Sequence, residues 1–586
     1  MKKIINKPET LVMEMCSGMV MSHPELEFIP DYKIMKRKEV NRNKVILISG
    51  GGSGHEPAHA GYVGKGMLDA AVCGEMFASP SQIQVYQAIE ATAGNKGTLL
   101  IIKNYSGDIM NFKNAAALAE DVDVEYVIVN DDIAVNDSSY TVGRRGVAGT
   151  VLVHKIAGAA AEMGCSLAEV KAIAQHTINR VRSMGMALTS CTVPAKGKPT
   201  FELADDQVEF GVGIHGEPGI GRRNVMTADE ISFEMIEALI RDLDVRPGDE
   251  ITLLVNGFGG TPLHELYVLC NSARRELNER GVKVYRTFVG DYMTSIDMQG
   301  TSISLLKMDE LLKILLSAEC DTPGLQVKGE IPEIPYEDLS KLKKTIEISD
   351  YENHITLKQG DIKDYSINKN VIFGLVERMG TFIIENEVPF CELDSYAGDG
   401  DFGMSVAKGF RKLKTEWKRV TLEGQKGIGE FLEACAFVIM EHCGGASGPI
   451  WGSAFLRAGR SCKGNEEISV KEIAQLMQAA VDGIQKTGER SFGRGAVVGD
   501  KTLIDALVPC TESWKESAIQ NRTVAEAFCI GAQAAVAGAE STKQMVARMG
   551  RAGTVGKRSL GHPDAGAYAL GKIFTHLSEW IVENYK

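Results

Sequence analysis

Apolar and polar positions follow two different rhythms along the chain. Between about residues 45 and 290, short apolar runs recur: KVILISG from Lys44, LDAAVCG from Leu68, TLLIIKN from Thr98, EYVIVND from Glu125, EITLLVNG from Glu250 and VKVYRTFVG from Val282. Runs of this length, rich in Val, Ile and Leu and closed by Gly, Asn or Asp, predict strands. Helical stretches lie between several of them, among them SLAEVKAIAQHTINRVRSMG over 166–185. Strands alternating with helices predict α/β layers with a largely parallel sheet, whose ligands gather beyond the carboxyl ends of the strands.

From about residue 323 the rhythm breaks. A polar, charged, proline-bearing stretch up to about 364 reads as a linker. Beyond it almost every apolar run has helical spacing: NKNVIFGLVERMGTFIIENE, GIGEFLEACAFVIMEH, VKEIAQLMQAAVDGIQKTG and RTVAEAFCIGAQAAVAGAEST. The expected organisation is an α/β domain over 1–328, a linker over 329–364 and an all-α domain over 365–586.

Composition narrows the chemistry. A chain of 586 residues with net charge −13 lacks the basic footprint of a nucleic-acid binder. To hold anionic phosphates it needs metal ions or backbone amides. Its twelve cysteines are scattered with no CxxC pair, which predicts reduced thiols. No apolar run reaches the length of a membrane span and the N-terminus shows no signal-peptide core, so a cytoplasmic address is expected.

Five stretches carry candidate chemistry. In ELDSYAGDGDFG, Asp394, Asp399 and Asp401 fall within eight residues among glycines. Carboxylates so close repel unless a cation neutralises them, and oxygen-only ligands suit Mg²⁺, Mn²⁺ or Ca²⁺; a solvated acidic turn is the plain alternative. The glycine loops GGASGPIWG (444–452), GRGAVVGDKTLIDAL (493–507) and GRAGTVGKRSLGHPDAGA (550–567) adjoin helical segments, whose N-termini are natural phosphate sites. No Walker GxxxxGK[ST] pattern occurs, because Arg558 follows Gly556-Lys557. In EFGVGIHGEPGIGRR the formal GxGxxG does not open a helix, so a dinucleotide site is not expected, but His215 is flanked by small residues that let a ligand approach its imidazole. In IIKNYSGDIMNF, Asp108 stands just past a strand end, suited to acid–base work or to a helix start. Finally, VILISGGGSGHEPAHAG places His55 directly after five small residues; Pro57 argues against a zinc-binding HxxxH helix through His55 and His59.

Together these motifs resemble single-chain, ATP-dependent dihydroxyacetone (glycerone) kinases over nearly the whole chain. The first half looks like their K domain and the second like their L domain, an antiparallel helical barrel. The resemblance implies that His215 forms a hemiaminal with the substrate carbonyl, which selects short ketones over glycerol. It implies that Gly52, Ser53, Gly54, His55, Lys103 and Asp108 hold the substrate, with His55 and Asp108 as the acid–base pair. Asp394, Asp399 and Asp401 match ligands of two Mg²⁺ ions on the nucleotide. Gly400, Phe402, Gly403, Met404, Ser405, Ala446, Ser447, Gly493, Thr502, Arg551, Asp564, Ala565 and Gly566 match ATP-contacting positions. It also implies a homodimer with active sites shared between chains, and no nucleic-acid or membrane partner.

The chain departs from the family pattern at Gly553-Thr554, where Ser-Tyr is frequent, at Ala565 for Pro, at Trp451 for Tyr, and at the variable Phe402. These touch the adenine side, and every expected metal ligand and catalytic residue is kept. The alternatives are a kinase of another short ketose such as erythrulose, a phosphotransferase-system donor in place of ATP, an FAD-AMP lyase activity that forms cyclic FMN, and a non-catalytic dihydroxyacetone sensor.

Overall fold

The structure is a computed structural model that describes residues 2–135, 143–217, 219–332, 334–338, 357–549, 553 and 556–585. The chain divides into two compact units, Met1–Lys343 and Lys344–Lys586. Half of the expected linker, 339–356, lies outside the described residues.

Unit one is α/β with two six-stranded sheets. In the first, Ala70–Met76, Ile46–Ser53, Thr98–Lys103 and Val124–Val129 run parallel. The antiparallel pair Leu26–Ile29 and Ile34–Arg37 extends its edge. Every residue of Ile46–Ser53 is buried, as suits a run of apolar residues, glycines and two serines without a charge in a strand covered on both faces. The second sheet departs from the parallel expectation. Only Glu250–Gly257 and Lys283–Gly290 pair in parallel; Gly300–Lys307, Val181–Ala187, Gln207–Phe210 and Gly221–Asn224 are joined antiparallel.

The stretch 166–185 also divides where a single helix was expected. Ser166 and Glu169 form a capping box that starts a helix at Leu167, but that helix ends at Arg180 and Val181–Ala187 pairs with Gly300–Lys307. The strand residues alternate poorly in polarity because the sheet is covered on both sides, so their sequence carries no strand period.

Unit two is helical apart from a two-stranded ribbon, Ser366–Asn368 with Glu467–Ser469. Eight helices pack each on the next and close into a ring: Lys369–Glu385, Phe402–Thr415, Ile428–His442, Ser447–Ser461, Val470–Phe492, Ile504–Ile519, Val524–Ser541 and Ala565–Asn584, the last returning to the first. Small residues let neighbouring helices approach. A Cβ on Gly538 would lie 2.1 Å from the Asp505 carbonyl oxygen, and one on Gly483 would lie 2.6 Å from that of Ser453. The ring encloses an apolar cavity of about 180 Å³, walled by residues such as Leu375, Trp451, Leu507 and Phe574.

Candidate active site

In unit one, the parallel strands Ile46–Ser53 and Thr98–Lys103 end side by side and deliver Gly51–Ser53 and Lys103 to one place. The glycines are needed for close approach. A Cβ on Gly51 would lie 2.7 Å from Lys103 Nζ, and one on Gly52 would lie 2.6 Å from the Ala78 amide nitrogen. Ser53 is buried and donates its hydroxyl to the Gly74 carbonyl at 2.7 Å, which ties the strand end to its neighbour. Gly54 sits at φ +103°. The helix Ser106–Leu118 begins immediately beyond Lys103, and Asp108 stands in its first turn without capping it. Asp108 accepts a short hydrogen bond from Ser79 and faces the Lys103 ammonium at 3.9 Å.

His55 follows in a turn, where Pro57 had argued against a helix. Its Nδ1 lies 2.8 Å from the Thr294 carbonyl oxygen. A carbonyl only accepts, so Nδ1 carries the proton, and in the neutral ring Nε2 is left as the lone-pair nitrogen. Burial, followed by the charges of His215 and Lys103, pushes the His55 pKa well below the usual imidazole value, so the ring is neutral at physiological pH. His55 is thus set as a proton acceptor at Nε2.

The His215 imidazole is boxed edge-on by three rings. His55, Phe77 and Tyr105 lie at centroid distances of 4.7, 5.2 and 4.6 Å with interplanar angles of 83°, 84° and 85°. This fixes the ring plane while leaving the residue half-buried. Burial, then Lys103 and Arg145, hold His215 unprotonated, the state a nucleophilic nitrogen requires. Arg145 anchors the loop that carries it. Its buried guanidinium bonds Asp132 at 2.6–2.7 Å, Glu217 at 3.1 Å and the Gly211 carbonyl at 2.7 Å.

Three buried polar atoms here make no hydrogen bond among the described residues: His55 Nε2, Lys103 Nζ and the Tyr105 hydroxyl. Buried polar groups are almost always paired, so three together mark a place built for a polar ligand. Burial lowers the Lys103 pKa and raises that of Asp108, against the pull of each on the other. Phe77, Tyr105, Thr294 and Arg145 escaped the sequence reading. They come from four separated segments, and no local signal in any of them points to the site.

Unit two holds the second candidate site. One carboxylate oxygen from each of Asp394, Asp399 and Asp401 can be chosen so that all lie within 4.8 Å of one another. Asp394 Oδ2 accepts from the amides of Gly400 at 3.0 Å and Phe402 at 3.4 Å, which wraps the loop around it. A cleft of about 210 Å³ is lined by these aspartates together with Phe402, Ser405, Ala446, Ser447, Thr502, Asp564, Ala565 and Gly566. Three helices start at this cleft, at Phe402, Ser447 and Ala565. The first two begin without a side-chain cap, and the third is capped by Asp564. N-terminal amides and helix dipoles favour an anion, and the aspartate trio favours a cation; the pair suits a metal-bound phosphate chain.

Lys501 and Asp505, missed as site residues though they stand inside a quoted loop, brace this end. The Lys501 ammonium bonds the carbonyls of Ser559 and of His562, the latter at 2.8 Å. Asp505 accepts from the amides of Gly499 at 2.6 Å and Thr502 at 2.8 Å. Tyr396 and His562 stack at 3.7 Å on the cleft wall. Four expected nucleotide positions are not in the lining. Gly493 caps the helix Val470–Phe492 at φ +74°, and Gly400 turns the aspartate loop at φ +76°. Gly403 packs on the Glu387 carbonyl, and Met404 is exposed. Arg551 lies outside the described residues.

Comparison with known proteins agrees with this two-site layout. The chain matches the Dak1 domain over residues 17–324 and the DAK2 domain over 396–579. It is 37% identical to a putative 3,4-dihydroxy-2-butanone kinase of Solanum lycopersicum, with 100% of this chain and 99% of that protein covered. It is 33% identical to the triokinase/FMN cyclase of Rattus norvegicus, with 99% and 98% covered. The crystal structure of the dihydroxyacetone kinase from C. freundii in complex with AMP-PNP and Mg²⁺ superposes with a TM-score of 0.60 at 30% identity, covering 99% of both chains. An α/β half with a boxed histidine and a helical half with an aspartate trio, matched end to end by these proteins, place the chain in the dihydroxyacetone kinase family, with its Dak1 and DAK2 domains joined in one polypeptide.

Proposed function

We infer that the chain transfers the γ-phosphoryl group of ATP to a terminal hydroxyl of dihydroxyacetone, giving dihydroxyacetone phosphate and ADP. The observation that carries this reading is the set of three buried polar atoms without a hydrogen bond, His55 Nε2, Lys103 Nζ and the Tyr105 hydroxyl, around an unprotonated, edge-boxed His215. A ketose offers such a set a carbonyl and hydroxyls; glycerol offers no carbonyl.

In this reading a His215 ring nitrogen adds to the carbonyl carbon. The C–N bond forms, the C=O π bond breaks, and the proton lost from imidazole ends on the new hydroxyl, so the hemiaminal is neutral. Gly52, Ser53 and Gly54 let the backbone approach the captured ketose, and Lys103 holds its oxygen. His55 and Asp108 take the proton of the terminal hydroxyl as its oxygen bonds the γ-phosphorus and the bond to ADP breaks. Burial keeps His55 neutral, which leaves Nε2 open to a proton, and raises the Asp108 pKa, which makes that carboxylate a stronger base than an exposed one.

In the helical half, Asp394, Asp399 and Asp401 hold Mg²⁺, which supplies charge neutralisation for the phosphates. The uncapped helix start at Ser447 offers its amides to phosphate oxygens, with Phe402, Ser405, Ala446, Thr502 and Asp564–Gly566 around the nucleotide. Gly400 and Gly493 act there through the backbone turns they allow, and Gly403 through its close packing on the Glu387 carbonyl. This reading carries with it the homodimer that the resemblance implies.

The test is a coupled assay for ADP with Mg-ATP and a panel of acceptors. The reading expects turnover with dihydroxyacetone and other short ketoses and none with glycerol. Equal rates with glycerol would remove the carbonyl from the account. No turnover at all, with the ketose still bound, would favour a sensor.

A further inference from the structure

Six non-glycine residues adopt positive φ among the described residues: Lys33, Phe77, Asp244, Ile296, Lys501 and Asn521. Asn and Asp tolerate this region, whereas bulky and β-branched residues rarely enter it. Phe77 at +59° and Ile296 at +58° are the two apolar members, and they meet at the same glycine. A Cβ on Gly54 would lie 2.9 Å from Phe77 Cε1 and 3.1 Å from Ile296 Cγ1. The backbone locks both in place. The Phe77 amide donates to the Ser53 carbonyl at 2.9 Å, and the Ile296 amide donates to that of Gly54 at 2.8 Å. Strained conformations persist where the surroundings over-determine them, and such positions gather at ligand clamps.

The Phe77 ring faces the chemistry directly. It stacks on His55 at 5.1 Å and 17° and stands edge-on to His215 at 5.2 Å. Both Phe77 and Ile296 are only partly buried, so they form a wall beside the two imidazoles and leave part of their surface outward. A ketose tethered by its carbonyl carbon to His215 has one arm committed to His55 and Asp108. Phe77 adjoins both imidazoles, so the wall borders the space that a captured ketose would fill. Each added CHOH group then presses on an aromatic ring and a β-branched side chain whose backbones cannot relax.

We propose that Phe77 and Ile296 form a strained apolar clamp that sets acceptor length, favouring a three-carbon over a four-carbon ketose. This rests on the ketose-kinase reading above. Truncating a clamp residue removes the wall, and a glycine substitution also suits the positive φ, so folding is not put at risk by the backbone. An asparagine at 77 serves as a second variant that accepts the same φ with a smaller side chain.

The experiment measures kcat/KM for dihydroxyacetone and for erythrulose in the wild-type chain and in Phe77→Gly, Phe77→Asn and Ile296→Gly. The expected result is a preference for the three-carbon substrate in the wild type that falls by at least about tenfold in both Phe77 variants, the scale on which one carbon is discriminated in an apolar pocket. The change should come mostly from a lowered KM for erythrulose. A ratio within twofold of the wild type in all three variants, including a proportional loss on both substrates, overturns the clamp and leaves the kinase reading standing. A wild-type chain that phosphorylates neither ketose overturns the kinase reading and the clamp with it.

Discussion

At the scale of single residues, the account divides the work between two sets of side chains with little overlap. His215 is held unprotonated and edge-on, as the proposed carbonyl capture requires, and the aspartate trio brings together oxygen atoms suited to the proposed cation. Removing one set should spare the other. His215→Ala is expected to lower kcat/KM for dihydroxyacetone by about a hundredfold or more, because positioning of the acceptor is lost. Asp399→Asn is expected to abolish Mg-dependent turnover yet leave capture intact. Capture is read by carbon-13 NMR of carbonyl-labelled dihydroxyacetone, whose signal leaves the carbonyl region when the carbon becomes tetrahedral. Loss of that signal change in Asp399→Asn would mean the two sites are not separable.

The residues that announced themselves in the sequence were those in dense local motifs: Asp394, Asp399 and Asp401 within one loop, and His55 after its glycines. Phe77, Tyr105, Thr294 and Arg145 were illegible because each gains meaning only when a distant segment packs against it. Tyr105 lies beside the quoted Lys103, yet nothing local says that its ring walls His215 110 residues further on.

At the scale of elements, helix periodicity made the second half readable almost to its boundaries. Val470 begins a helix after the Ser469–Glu472 capping box, and Val524 begins one after Thr523–Glu526. The strands of the second sheet were mostly missed. Arg182 to Ala187 and Gly300 to Lys307 are covered on both faces, so they lack the alternation that marks a strand, and small and hydroxyl residues dilute their apolar runs.

Element packing also reaches the nucleotide cleft. The helices Ile504–Ile519 and Val524–Ser541 touch through Gly538, with no room for a methyl group over the Asp505 carbonyl. Gly538→Ala should therefore cost about 1–3 kcal/mol of stability, read by denaturation followed through the emission of Trp514. Because Asp505 fixes the amides of Gly499 and Thr502, the same variant should raise the KM for ATP. A variant as stable as the parent, with unchanged KM, would show that this contact is not tight.

For the whole molecule, the two halves should respond differently to acid. Four imidazoles in the α/β half, His55, His59, His154 and His215, have pKa values pushed below the usual range, chiefly by burial; for His154 the value is about 3. The unfolded chain binds protons at these groups below about pH 6.5, while the folded chain does not. Their stabilisation is therefore complete above that pH and drains as pH falls. Asp132, raised to about 6 mainly by burial, works in the opposite direction and returns part of it. Glu56, Asp108 and Asp131, also raised chiefly by burial, oppose the histidines in the same direction as Asp132, so the loss shows first between about pH 7.5 and 6, where the histidines of the unfolded chain titrate. All four tryptophans, Trp417, Trp451, Trp514 and Trp580, lie in the helical half. The transition that acid lowers should thus appear in calorimetry, whereas the one reported by tryptophan emission should not fall, because Asp564 in the helical half, raised to about 7 mainly by burial, adds stability there as pH drops. An α/β transition with the same midpoint at both pH values would contradict the assignment of these histidines as neutral in the folded state.

The claim that joins both halves is phosphoryl transfer from a metal-held nucleotide to a carbonyl-captured ketose. Phosphorus-31 NMR of the full chain with Mg-ATP and dihydroxyacetone tests it most directly. The account predicts that ADP and a phosphate monoester of dihydroxyacetone appear in equal amounts, and that neither appears when glycerol replaces the ketose. ATP left intact beside dihydroxyacetone, or ADP formed with inorganic phosphate as its only partner, would contradict it.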